Sequence, residues 1–128
     1  MSFERGHYGR AIFARLRPDE DLVLGVEALC REAGFHHASI RGSLGSLNHA
    51  TLAVGNRVIE VLHLGLEITA LIGEVRAGKA HVTGSLVNGE GRVFSGRFVE
   101  GENRICVTAE ITLEEWCSEE EEICAGGC

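Results

Sequence analysis

The side chains able to do chemistry in this 128-residue chain are few and scattered: six histidines, five cysteines and twelve lysines and arginines. His81, Thr83 and Ser85 alternate, so on a strand all three project from one face. An imidazole beside two hydroxyls can donate and accept hydrogen bonds to a small polar ligand. Arg41 stands just before Gly42-Ser43-Leu44-Gly45-Ser46, where a guanidinium and turn amides would suit an anion. That glycine run is not a phosphate-binding P-loop, because its lysine is missing and a strand, not a helix, follows. His63 sits between Leu62 and Leu64 with Glu67 on its face, the setting of a hydrogen-bonded packing histidine rather than a general base. His7, His36, His37 and His49 are expected in contact with solvent. No Gly-x-Ser-x-Gly elbow and no His-Glu-x-x-His pair occurs, so catalysis is the lesser reading. Cys30 and Cys106 fall within apolar patterns and read as buried small hydrophobes. Cys117, Cys124 and Cys128 are spaced C-x6-C-x3-C, which is no zinc spacing, and are taken as incidental thiols. No cofactor is expected.

Charge narrows the partners. The net charge is −7, but Glu114, Glu115 and Glu119 to Glu122 supply six of the nineteen acids in a C-terminal segment without lysine or arginine. The rest of the chain is nearly neutral, and neither part offers the bulk positive charge that holds a phosphate backbone. Direct DNA binding is therefore doubtful. The apolar stretch 58–72 is interrupted by Glu60, His63 and Glu67, so no membrane span is expected. The first residues lack the basic-then-apolar layout of a signal peptide, and a cytoplasmic location is expected.

The elements that must position these residues follow from periodicity. Residues 10–16 read as a strand. Pro18-Asp19-Glu20-Asp21 opens a helix whose stripe is Leu22, Val26, Leu29, Cys30 and Ala33, with Gly34 as its stop. Strands are expected at 36–41, 47–54, 57–73 (one long or two short), 80–87, 92–99 and 104–113. The Gly/Ser run at 42–46, Gly55-Asn56, Ala77-Gly78 and Asn88-Gly89-Glu90-Gly91 are expected as turns. In the last strand Ile105, Val107, Ala109, Ile111 and Leu113 share one face. This is an α+β class: about seven mostly antiparallel strands with one or two flanking helices, in one domain over 1–113, and an acidic, mobile tail over 114–128. A single helix cannot cover so large a sheet, so self-association is expected to help.

The ordered series Leu16 to Leu22, Ala38 to Leu47 with Ala50-Thr51-Leu52, Ile59 to Leu64, His81 to Leu86, Gly91-Arg92-Val93, Ser95-Gly96-Arg97 and Val107 to Glu110 resembles the PPC domain (plants-and-prokaryotes conserved domain, DUF296) across 10–113. The resemblance implies a trimer sharing sheet edges around a central cleft. It also implies a role as an assembly and partner-binding module in plants, and a DNA-binding label, by analogy, for prokaryotic members. Many prokaryotic relatives carry His-x-His-x-Ser with a later Gly-Gly-His, a set suited to a metal. Here the matching positions are His81, Thr83, Ser85 and Ser95-Gly96-Arg97, so one histidine of three remains, and Arg97 is a fixed cation. A metal is thus disfavoured, with His81 the one weak candidate. By the same alignment Arg97 lies on a neighbouring strand, where guanidinium, hydroxyls and imidazole suit a carboxylate or phosphate. The competing expectation is that Arg97 pairs with Glu110 or another sheet carboxylate as a structural bridge. The residues and the resemblance together imply a homotrimer with an accessory or regulatory role, binding a small anionic ligand in an inter-subunit cleft or a protein partner. A DNA-associated regulator and an enzyme on a small anion, with His81 as base, are the alternatives.

Overall fold

The computed structural model describes residues 1–120. Its elements are β1 (Gly6–Leu16), α1 (Leu22–Ala33), β2 (Ala38–Val54), β3 (Arg57–Arg76), β4 (Lys79–Val87), β5 (Val93–Phe98) and β6 (Arg104–Ser118). The helix begins at Leu22, about a turn later than expected: Pro18-Asp19-Glu20 precede it, with Asp19 at φ 69°, and no acid lies in its first turn. The Asp21 side chain accepts from Leu24 N–H at 2.8 Å as the N-cap, and Gly34 ends the helix in the left-handed conformation at φ 77°. Leu22, Val23, Val26 and Cys30 are buried, while Leu29 and Ala33 are partly covered.

The sheet has six antiparallel strands in the order β1-β6-β2-β3-β4-β5, one fewer than expected. The missing break is at residues 42–46. Gly42, Ser43, Leu44 and Gly45 pair in the ladder with Thr112, Ile111, Glu110 and Ala109, so the Gly/Ser run is strand and not turn. Gly45 serves close approach instead. A Cβ on Gly45 would stand 2.4 Å from the Thr108 carbonyl oxygen.

The sheet also covers part of itself. Beyond its pairing to β4, β5 pairs with β2 through Leu52↔Phe98 and Ala53↔Arg97, which closes β2, β3, β4 and β5 into a ring. Glycines again permit the curl: Gly84 pairs with Gly96, and a Cβ on Gly84 would lie 2.4 Å from the Ala70 carbonyl oxygen. Inside the ring and under α1 lie Leu47, Leu52, Leu66, Val75, Val82, Leu86, Phe98, Ile105, Ile111 and Leu113, all essentially inaccessible.

The last strand departs from its expected pattern twice. Between Gly45↔Ala109 and Leu47↔Ile105 the ladder advances two residues on β2 and four on β6. The extra residues bulge out, which leaves Val107 70% exposed instead of in the core. The strand also runs through Ser118, past the expected boundary at 113. Glu115 can be buried there because Arg10 donates to it twice, at 3.0 and 3.2 Å, while stacking over Phe35. Cys117 is buried and disulfide-bonded rather than an incidental thiol. The remainder of the expected tail, 121–128, with Cys124 and Cys128, lies outside the described residues.

Candidate functional site

Strand alternation places His81, Thr83 and Ser85 on the outer face of β4, with Val82, Gly84 and Leu86 turned inward and buried. On β5 the same alternation puts Ser95 and Arg97 outward and Phe98 inward. The β4–β5 register then sets Arg97 directly opposite Thr83 and Ser95 directly opposite Ser85. Side chains directly opposite in an antiparallel pair lie about 5 Å apart at Cβ, so these four residues form one compact quartet. It holds one guanidinium and three hydroxyls. The sequence series includes Ser95 only as part of Ser95-Gly96-Arg97; the register is what makes it a member of the site.

The bridge expected between Arg97 and Glu110 does not form. Glu110 is held by Arg15 at 2.9 Å, across the β1–β6 pair. Among the described residues no carboxylate and no hydrogen-bond acceptor engages the Arg97 side chain, which is exposed. His81 stands one step along β4, opposite Glu74 of β3. Glu74 in turn holds Arg76 at 2.7 and 3.4 Å, and that hydrogen bond, then the carboxylate's charge, raises the Arg76 guanidinium above its ordinary value.

Arg41 is not part of this group. It lies on β2 with Glu114 at 3.4 Å and its guanidinium over the Tyr8 ring at 5.2 Å. Because 42–46 is strand, no turn amides are available beside it. His63 is exposed, with Nδ1 at 3.1 Å from the Leu64 carbonyl, and so is not the packing histidine its neighbours suggested. His49 is partly buried and 3.3 Å from Glu60 across the β2–β3 hairpin.

A cavity of about 300 Å³ adjoins the same sheet near the chain's first residues. Its walls come from four separate segments, and it includes Trp116, Tyr8, Glu4 and Glu74 but none of the expected site residues. No sequence pattern marks it.

Two further features of the outer surface bear on assembly. Phe13, Leu44, Val58, Leu62, Leu64, Ile72 and Val93 are each more than half exposed. The β3–β4 ladder begins only at Glu67, so β3 from Arg57 to Leu66 has β2 on one side and an open edge on the other. The outermost strand, β1, leaves a second and different open edge.

The Plants and Prokaryotes Conserved domain matches residues 3–117, nearly all of the described chain. Among solved structures, a plant- and prokaryote-conserved protein of Pyrococcus horikoshii is 28% identical. It superposes with a TM-score of 0.77, over 91% of this chain and 85% of that one. A metal-containing protein of Archaeoglobus fulgidus shares the fold at 22% identity and a TM-score of 0.74, over 91% of this chain and 86% of the other. So does a Bacteroides thetaiotaomicron protein provisionally named as DNA-binding, at 18% identity and a TM-score of 0.71, over 86% and 83%. Among curated proteins, none matches the sequence significantly. No helix of the described residues is long and apolar enough to cross a membrane.

Proposed function

Because the chain belongs to the Plants and Prokaryotes Conserved domain family, we propose that it acts as a homotrimeric binding module whose outer sheet face takes up a small anion at Arg97. The observation that carries this reading is the Arg97 guanidinium, uncommitted among the described residues, opposite Thr83 and with the Ser85–Ser95 pair beside it. A planar guanidinium can grip two oxygens of a carboxylate or phosphate, and hydroxyls supply the remaining donors. His81 adds an imidazole at the end of the row.

Trimer formation draws support from the exposed apolar side chains and from the two unlike open edges. A closed ring of copies needs two different surfaces that match each other, and one chain carries both. The seam would turn an exposed row of side chains into a walled cleft.

The metal of the Archaeoglobus fulgidus protein has no counterpart in this reading. His81 is the one strong donor of the row, Thr83 is a weak ligand, and Arg97 would place a fixed positive charge against a cation. The residues do not fit a resident metal ion.

Calorimetric titration of the purified protein with inorganic phosphate and with a small carboxylate tests the proposal. Saturable binding that Arg97→Ala removes, at unchanged oligomer mass, supports it; binding unaffected by Arg97→Ala overturns it. The provisional name of the Bacteroides protein raises a second reading, association with DNA. Phosphate-backbone contacts would give an affinity that falls steeply with salt, so titrating duplex DNA at two salt concentrations separates the readings.

A further inference from the structure

The cavity beside Trp116 has a chemistry opposite to that of the Arg97 quartet. Its floor is the β2–β3 ladder, where Ala38 and Val75 turn their side chains into the core and Ser39 stands opposite Glu74 on the recess side. One wall is aromatic. Tyr8 and Trp116 meet edge-to-face, with ring centroids 5.3 Å apart and planes at 72°. Two rings set at such an angle bound a recess of about 300 Å³, room for a small ring or a short hydrocarbon.

The charged lining is acidic on balance. Glu4 and Glu74 both face the recess, against Arg76 as the one lysine or arginine among the described lining residues. Arg76 is already bound to Glu74 at 2.7 Å. Glu4 accepts a neutral donor, the Trp116 indole N–H, at 2.8 Å. That bond fixes a carboxylate at the edge of the indole, so a cation resting on the ring would also meet an anion. The aromatic wall already holds one cation, since the Arg41 guanidinium lies 5.2 Å from the Tyr8 ring centre. An anionic ligand would face two carboxylates and a guanidinium that is not available.

We propose that this cavity is a separate ligand site for a small organic cation, a primary amine carried on a flat ring or short chain. The ammonium would lie between Glu4 and Glu74, with Arg76 swinging out to solvent, and the hydrocarbon would rest against the Tyr8 and Trp116 rings. Arg76 is 71% exposed at its side chain, so its displacement leaves no buried charge behind. Attraction to an aromatic face and to an exposed carboxylate are each modest, so the site would be selective by charge sign rather than by great affinity.

Trp116 is the sole tryptophan of the chain and reports on the site directly. The full-length protein would be titrated with benzylamine, benzyl alcohol and benzoate, read by tryptophan emission and in parallel by calorimetry. The expected result is saturable binding of benzylamine, with benzoate inert and the alcohol weaker. Glu74→Gln should weaken benzylamine about two- to five-fold, as expected for loss of one partly exposed charge contact. Arg97→Ala should leave it unchanged, which separates this site from the proposed anion site. A similar response to all three compounds, no saturable response to benzylamine by either readout, or an unchanged benzylamine affinity in both Glu74→Gln and Glu4→Gln would overturn the proposal.

Discussion

Asn103 is a polar side chain with no solvent access, and its truncation gives a stability loss whose size follows from its partners. Its Oδ1 accepts from Thr51 N–H at 3.1 Å; its Nδ2 donates to the Val99 carbonyl at 2.6 Å and to Asp21 Oδ1 at 3.3 Å. One amide thus ties β2, the turn that follows β5 and the cap of α1. Asn103→Ala removes all three bonds and strands the buried Thr51 N–H. Three bonds at roughly 1 kcal/mol each, with an orphaned buried donor adding about 1 more, give a loss of about 3–4 kcal/mol. For a chain of this size that is a fall in Tm of about 10–15 °C. Urea melts at one fixed protomer concentration would measure it, since assembly makes apparent stability concentration-dependent. Asn103→Asp should do no better than Ala: it keeps the acceptor for Thr51, loses the donor to Val99, and sets a second carboxylate against Asp21. A loss below about 1 kcal/mol for Asn103→Ala, or a wild-type melt for Asn103→Asp, would refute this account of the hub.

Gly84→Ala should cost about 1–3 kcal/mol, because its Cβ would meet the Ala70 carbonyl and force β3 and β4 apart. Gly89→Ala, with open space around it, should be neutral or slightly stabilising in the same melts. Burial pushes the Cys30 thiol up to about 11 from 9.0. Between those values the folded chain holds a proton that the unfolded chain has released, so this contribution is whole below pH 9.0 and is lost as pH rises towards about 11. Denaturant melts across that range should fall more steeply for the wild type than for Cys30→Ala, and equal slopes would contradict the assignment.

Much of the fold was legible because its signals are local. The α1 stripe and the Gly34 stop are properties of thirteen adjacent residues, and the hairpin turns at Gly55, Gly78 and Gly89 are equally self-contained. Alternation alone put His81, Thr83 and Ser85 on one face. What escaped depends on distant partners. The Gly42–Ser46 run has turn composition, but it is strand, and its Gly45 lets β2 approach β6, which only the ladder reveals. Glu114-Glu115 begins an acidic run that reads as solvated, yet Arg10, over a hundred residues away, neutralises Glu115 and lets it be buried. Whether Glu110 could reach Arg97 turned on the register, which sets Glu110 opposite Leu44 and Arg97 opposite Ala53, far apart along β2. The Trp116 cavity joins four segments and has no signature in any of them.

A crystal structure of the purified assembly grown with phosphate would test the anion site most directly, through the density beside Arg97. The expected result is a tetrahedral anion within hydrogen-bond distance of the Arg97 guanidinium and of at least one hydroxyl among Thr83, Ser85 and Ser95, walled by a neighbouring copy. An Arg97 side chain bound instead to a carboxylate of an adjoining copy, with no anion at the quartet, would contradict it.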